Sequence, residues 1–292
     1  MKRAPLQGWY APAYAVAGVP MQERLAVAAA RIARSGLAHF SAPTPLPPTM
    51  LEGLHELNYA QAFLHGIEPL ASSQGVRWSP ALRDAMLAML GGQLAAVASA
   101  REHGIAFNLA RGFHHAVPER GSGYCAINGL ALVAWCCPAQ RVLVIDCDEH
   151  GGNGTEEFSH RLDNLWCVSI FGTRFGCLGG PRSLALKVAP GEGVGQRYNQ
   201  ALDRAEDYLA AVKPDLVLYQ AGADCHASDP KSSLRLSTHE LFRRDLRVFR
   251  MARAAGVPLA FCVAGGYQRM QEIARLNTNT VRAAALAWCD RQ

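Results

Sequence analysis

The stretch from Arg141 to Thr155 reads RVLVIDCDEHGGNGT and joins a short apolar segment to an acidic one. The apolar part, Val142 to Ile145, is rich in branched side chains, which is typical of a strand buried on both faces. The part that follows places two aspartates and a histidine at alternate positions before a glycine-rich turn. Since side chains two residues apart on an extended chain point the same way, this strand end predicts a cluster of polar groups.

Similar apolar runs elsewhere predict three more buried strands, at Leu165–Phe171, Leu216–Tyr219 and Pro258–Val263. Segments with the apolar spacing of helices surround them, at residues 22–36, 80–103, 126–136, 196–212 and 238–255. The last of these begins with a capping-box pattern, Ser237 followed by Glu240. Alternating strands and helices predict an α/β fold, a mostly parallel central sheet with helices on both faces. No repeat or long linker divides the chain, so we expect a single domain over residues 1–292.

The composition excludes several classes of protein. Half of the 292 residues are hydrophobic and the net charge is only +5, without the basic stripe typical of nucleic-acid binding. The odd count of nine cysteines, without a CxxC pair, argues against a disulfide framework or a cysteine zinc site, and favours a cytoplasmic location. The start at Met1–Arg3 resembles a signal peptide only weakly, and no apolar run approaches the roughly 18 residues of a membrane span. Trp135 and Trp288 are expected in the core.

We expect the functional site at the strand ends, because ligands of parallel α/β sheets bind beyond the carboxyl ends of the strands. One strand is followed by Asp146, Asp148 and His150, another by Asp224, and a third by Tyr267. Asp148, His150 and Asp224 form a three-ligand set that leaves a position for solvent, as in catalytic metal sites. Such a set suits zinc and also accepts iron(II), cobalt or manganese. The alternative, strand-end acids that only cap helix N-termini or accept backbone donors, fits less well with the glycines beside both ligand groups.

Two adjacent histidines, His114 and His115, lie upstream in a loop. Such a pair is usually ordinary polar surface when it stands alone. Beside a metal, two imidazoles meet the two proton-transfer needs of amide hydrolysis, a base for the water and an acid for the leaving amine.

Four segments, in this order, resemble the zinc-dependent histone deacetylase family, which shares its fold with arginases: RGFHHAVPERGSGYC, VIDCDEHGGNGT, QAGADCHASDP and AGGYQR. They span Arg111 to Arg269 and are most similar to the class IV branch and its bacterial relatives. The resemblance implies a histone-deacetylase-like catalytic domain. It also implies metal-dependent hydrolysis of the amide of an acyl-lysine side chain.

The resemblance assigns a role to each matching residue. Asp148, His150 and Asp224 are the implied metal ligands, and His115 is the implied general base and proton donor, paired with His114. Further implied catalytic residues are Asp146, which orients His114, Asn153, which supports His115, and Tyr267, which donates a hydrogen bond to the substrate carbonyl and its oxyanion. Gly123 and Tyr124 match a pair that lines the acyl-lysine tunnel, and Phe175 is a candidate for its second wall. A structural potassium site is implied around the backbone of Asp146, Asp148 and His150, with Ser169 and Ile170.

The sequence also departs from the family pattern. Gly151 follows His150 where many relatives have a second histidine, and Lys231–Ser232–Ser233 replaces a glycine-rich turn at the rim. No carboxylate in the early loops that would bind a peptide backbone is identifiable, so the kind of substrate stays open. The expected partner is an acylated lysine of a peptide or protein, or an acylated small amine such as an acetylpolyamine. A non-catalytic acyl-lysine binder is the remote alternative, no nucleic acid or membrane is expected, and the oligomeric state stays open.

Overall fold

The computed structural model describes residues 5–289 and contains one eight-stranded sheet in which every pairing is parallel. In chain order its strands are β1 Leu6–Trp9, β2 Ala38–Ser41, β3 Ile105–Asn108, β4 Val142–Asp146, β5 Leu165–Phe171, β6 Ser183–Lys187, β7 Leu216–Ala221 and β8 Leu259–Val263. Their order across the sheet is β2-β1-β3-β8-β7-β4-β5-β6. The predicted α/β class with a parallel central sheet is confirmed.

Helices lie between most consecutive strands, as is usual for parallel pairing, whereas β5 and the parallel β6 are joined by a helix-free loop of residues 172–182. Their bounds are α1 Pro20–Arg34, α2 Leu57–His65, α3 Pro80–His103, α4 Gly129–Cys136, α5 Asn153–Arg161, α6 Val194–Val212, α7 Thr238–Ala254 and α8 Met270–Cys289. The four predicted strands correspond to β4, β5, β7 and β8, and the five predicted helices to α1, α3, α4, α6 and α7. The predicted capping box at the start of α7 is present, formed by Ser237 and Glu240.

The centre of the sheet positions the strand ends that carry the polar groups. Strands β4, β7 and β8 are buried along their whole length, as their continuous apolar sequences predict. Asp146 at the end of β4 pairs with Gln220 of β7, and Gln220 pairs with Cys262 of β8. The loops after these three strands therefore leave the sheet side by side, at one edge.

Helix α3 departs from what the sequence suggested. By length and composition it is apolar enough to cross a membrane, so the expectation that no run is long enough was wrong. However, 61% of its apolar window is buried inside the molecule. It packs against β1, β3 and β8, which explains its composition as that of a core helix.

The two tryptophans that were expected in the core differ in their burial. Trp135 was expected in the core but is 41% exposed, because α4 ends at the surface and the indole lies on Gly53, whose missing side chain leaves room for it. Trp288 packs against the core from a partly buried position. Met1–Arg3, the segment weakly similar to a signal peptide, lies outside the described residues.

Candidate metal centre and active site

The three predicted metal ligands meet at the carboxyl edge of the sheet. Asp148 and His150 lie in the loop after β4, and Asp224 lies in the loop after β7. The His150 Nδ1 atom is 3.2 Å from a carboxylate oxygen of Asp148 and 3.2 Å from one of Asp224. One potential ligand atom from each residue lies within 4.8 Å of the other two. The structure thus places an imidazole and two buried carboxylates around one point.

Backbone groups hold the two carboxylates in place. The Gly265 N–H donates to Asp148 over 2.8 Å, and the Glu149 N–H donates to Asp224 over 3.0 Å. Gly265 cannot carry a side chain here, since a Cβ atom at this position would lie 1.9 Å from Asp224 Oδ2. The loop after β8 therefore approaches the ligands closely enough to donate a hydrogen bond to one of them.

The chemistry of this donor set fits a divalent cation. Burial and the negative charge of the neighbouring Asp148 raise the pKa of Asp224 to about 7, although the His150 imidazole between the two carboxylates acts in the opposite direction. A divalent cation removes that conflict, and mixed carboxylate and imidazole ligands match zinc and also iron(II), cobalt and manganese. The residues therefore fit a metal, and their geometry does not select which one.

A hydrogen bond to Asp146 orients the His114 ring. The His114 Nδ1 atom is 2.6 Å from Asp146 Oδ2, and both side chains are buried. Burial alone would lower the pKa of His114, but the negative charges of Asp146 and Asp148 outweigh it, so the pKa is raised. The Asp146 carboxylate thus fixes the ring and favours its protonated form.

The pKa of His115 is shifted in the opposite direction from that of His114. Its Nδ1 atom donates to the Asn153 side-chain oxygen over 2.8 Å, so the second ring nitrogen is the one free to accept a proton. Burial and the positive charge expected on His114 hold the pKa of His115 well below its usual range. The two adjacent histidines therefore differ in charge because one has an aspartate partner and the other an asparagine.

Aromatic rings surround the entrance to these groups. The Phe175 ring lies 4.0 Å from the His115 ring, centroid to centroid, and 6.0 Å from the His150 ring. Gly123 has a φ of +51°, and a Cβ atom there would lie 2.4 Å from His115 Cδ2. The Tyr124 ring is 6.4 Å from the Tyr267 ring. Each predicted tunnel residue therefore lies at the entrance, although its contact with a substrate stays a prediction.

Tyr267 lies in the loop after β8, beside the three predicted metal ligands. Its ring centroid is 6.4 Å from that of His150, and its backbone N–H donates to the buried Asp229 carboxylate over 2.6 Å. Burial and the nearby Asp148 raise the pKa of Tyr267, so the phenol keeps its proton. It is therefore available as a hydrogen-bond donor beside the metal centre.

Several residues at the site were absent from the sequence-based prediction. Arg24 reaches in from α1, buried, and donates to the Ala264 carbonyl over 3.0 Å. Gln220 accepts a hydrogen bond from the Gly112 N–H over 3.0 Å and lines the inner cavity with Arg111. Gln220 was identifiable as a polar residue ending a buried strand, whereas nothing in its own helix marks Arg24.

The predicted potassium site is not tested by these contacts. Ser169 lies beside Asp146 in the pairing of β4 with β5, and its hydroxyl accepts a hydrogen bond from the Gly152 N–H over 3.0 Å. Asp146 and Ser169 are both buried. Occupation by potassium stays a prediction.

Comparison with known proteins places this geometry in a family. A model of the histone deacetylase domain matches residues 20–284. An uncharacterized protein of Picosynechococcus sp. is 35% identical over 233 residues, which are 75% of this chain and 75% of that protein. Histone deacetylase 2 of Arabidopsis thaliana is 32% identical over 188 residues, 62% of this chain. This chain matches only 49% of the Arabidopsis protein's length.

A solved structure supports the same placement at the level of the fold. The crystal structure of acetylpolyamine aminohydrolase from Burkholderia pseudomallei superimposes with a TM-score of 0.80. The match covers 97% of this chain and 99% of that one at 18% identity. With the family model matching most of its length, the chain belongs to the histone deacetylase family.

Proposed function

We propose that this protein is a metal-dependent deacylase that hydrolyses the amide of an acylated lysine side chain. The observation that carries the proposal is the meeting of Asp148, His150 and Asp224 beside the His114–His115 pair. Hydrolysis of an amide by an activated water molecule requires the metal-binding groups and the proton-transfer groups to lie in the same pocket. An acyl-lysine binder without catalytic activity would need neither two oriented histidines nor a protonated tyrosine beside them.

The protein's own residues supply the proton transfers. His115, held neutral with Nδ1 donating to Asn153, accepts the proton of the attacking water and later returns it to the leaving amine. His114, fixed by Asp146, keeps a positive charge beside the reacting groups. The Tyr267 hydroxyl donates a hydrogen bond to the oxyanion that develops from the amide carbonyl.

A cation held by Asp148, His150 and Asp224 would supply Lewis-acid polarisation of the amide and acidify the attacking water. Zinc is our first choice of metal, supported by the mixed carboxylate and imidazole ligands. A cytoplasmic location is part of the proposal, supported by the eight cysteines whose side chains the structure describes, all of them unpaired. Membership of the class IV branch and a bacterial origin rest on the sequence motifs alone.

The test compares hydrolysis of fluorogenic peptides with short to long acyl groups on lysine, and of acetylpolyamines, by metal-free and metal-loaded enzyme. We expect metal-dependent release of the amine, and at least a 100-fold lower kcat/KM in His115→Ala, since general acid–base catalysis contributes about 10²–10⁴-fold. The control is His65→Ala at the exposed end of α2, which should leave kcat/KM unchanged. Equal hydrolysis by His115→Ala and the wild type would refute the proposed role.

A further inference from the structure

A lysine stands at the entrance of the site where its charge contacts two aromatic rings. The Lys231 ammonium lies 3.9 Å from the centroid of the Tyr267 ring and 5.1 Å from that of the Tyr124 ring. These distances are within the range of attractive cation–π contacts. Because Tyr267 and Tyr124 flank the entrance, any part of a substrate that extends outward from the metal centre passes this ammonium.

The position of Lys231 is fixed by the same residue that positions Tyr267. One Asp229 carboxylate oxygen accepts the backbone N–H of Lys231 over 2.8 Å, and the other accepts that of Tyr267 over 2.6 Å. Asp229 is buried, so this bridge is shielded from solvent. The ammonium is therefore attached to the frame of the active site, although the side chain as a whole is exposed.

The Lys231 ammonium has no carboxylate partner among the residues that the structure describes. Between residues 5 and 289, no carboxylate lies within ion-pair distance of its ammonium. The Asp229 oxygens are occupied by backbone donors. The entrance thus presents a positive charge that contacts the faces of two tyrosine rings.

We propose that Lys231 is a specificity-determining residue, which selects acylated amines that carry a carboxylate close to the amide and disfavours polycationic amines. The inference rests on the proposed deacylase function and names its substrate class. A substrate carboxylate at the entrance pairs with the ammonium, whereas the ammonium groups of an acetylated polyamine meet a like charge there. An acidic residue next to the acyl-lysine of a peptide, or the free carboxylate of acyl-lysine itself, provides the required group.

The test uses three acetyl-lysine peptides of equal length that differ only in having Asp, Asn or Lys beside the acetyl-lysine, together with an acetylated polyamine. For the metal-loaded wild type we expect kcat/KM to fall in the order Asp, Asn, Lys. Exchanging attraction for repulsion at an exposed site predicts an Asp-to-Lys ratio of about fivefold or more, smaller at high salt. In Lys231→Met the ratio should approach one, and in Lys231→Glu the order should reverse.

The matched control is Lys213→Met, which removes the same charge from an exposed position before β7, at the opposite end of the sheet. It should retain the wild-type ratio. An Asp-to-Lys ratio that is equal in the wild type and in Lys231→Met, with all three peptides hydrolysed, would overturn the inference and leave the deacylase proposal standing. Hydrolysis of none of these substrates by metal-loaded enzyme would overturn the deacylase proposal and this inference with it.

Discussion

The two adjacent histidines show how a single hydrogen-bond partner shifts the pKa of a side chain. His114 and His115 are neighbours in sequence and both are buried, with ring centroids 3.9 Å apart. They differ because Asp146 carries a negative charge and Asn153 does not. The pKa of His114 is raised and that of His115 is lowered, and the low pKa of His115 is consistent with its proposed role as the base.

Tyr267 is predicted to act only once negative charge develops on the substrate. Tyr267→Phe removes a hydroxyl but keeps the ring, so metal content should not change. We expect kcat to fall about 100-fold or more, the usual cost of removing one preorganised oxyanion donor. Steady-state kinetics on an acetyl-lysine peptide, with metal content measured on the same sample, checks this.

The control for this substitution is a tyrosine away from the site. Tyr10 is unsuitable because it packs on other rings, and the partly buried Tyr208 on α6 is preferable. Tyr208→Phe should retain wild-type kcat. A Tyr267→Phe enzyme with the wild-type kcat would exclude the phenol from the mechanism.

Local rules of sequence explain why the three predicted metal ligands lie together, but they do not explain every residue near the site. Asp148 and His150 alternate along the chain after a buried strand, and Asp224 follows a neighbouring parallel strand, so local rules place all three. Arg24 and Lys231 reach the site through tertiary packing, which no local pattern encodes. Their contacts therefore emerge only from the three-dimensional structure.

At the level of elements, the loop after β8 helps to position the predicted metal ligands, which lie in the loops after β4 and β7. Gly265 donates to Asp148 and passes so close to Asp224 that no side chain fits. Gly265→Ala should therefore displace a ligand carboxylate and lower metal affinity at least tenfold, as loss of a supporting contact typically does. Metal titration monitored by calorimetry measures the effect.

Substitution of Gly191 is the control that distinguishes loss of metal affinity from the effect of backbone strain. A Cβ atom added at Gly191 would have no neighbouring atom within 4 Å, and the φ of +95° makes alanine unfavourable for the backbone alone. Gly191→Ala should lower stability and leave metal affinity unchanged. Metal affinity equal to wild type in Gly265→Ala would show that the loop has room the structure does not indicate.

The strands that the sequence analysis predicted have continuous apolar sequences, whereas the strands that it missed do not. Strands β4, β5, β7 and β8 are continuous apolar runs, so the pattern alone identified them. Strand β1 contains Gln7 and Gly8, and Gly8 is required because the Phe107 ring fills its side-chain position. Strand β6 is partly exposed at the sheet edge. Helix α8 has helical apolar spacing that the prediction should have included.

At the scale of the whole molecule, a buried histidine links stability to pH. His55 donates from Nδ1 to the Val117 and Pro118 carbonyls, and its Nε2 accepts the Asn128 N–H over 3.2 Å. Burial lowers its pKa to about 4, from 6.5 in the unfolded chain. Between these values the unfolded chain binds the proton and the folded protein does not, so stability falls as the pH drops from 6.5 towards 4.

The contribution of His55 to that loss is about 3 kcal/mol across the window, from a pKa difference of about 2.5. His55→Gln should be less stable than wild type at pH 7 and should lose less stability between pH 7 and pH 4.5. Urea unfolding at both pH values measures the difference. His103→Gln, at an exposed position on α3, serves as the control, and an equal pH dependence in His55→Gln and wild type would contradict the assignment.

The most direct measurement is the position of a bound metal in a crystal grown with zinc, located by anomalous scattering at the zinc absorption edge. We predict one peak per chain, about 2.0–2.2 Å from Asp148, His150 Nδ1 and Asp224. An anomalous peak bound by other residues, with these three side chains in contact with one another instead, would contradict the account.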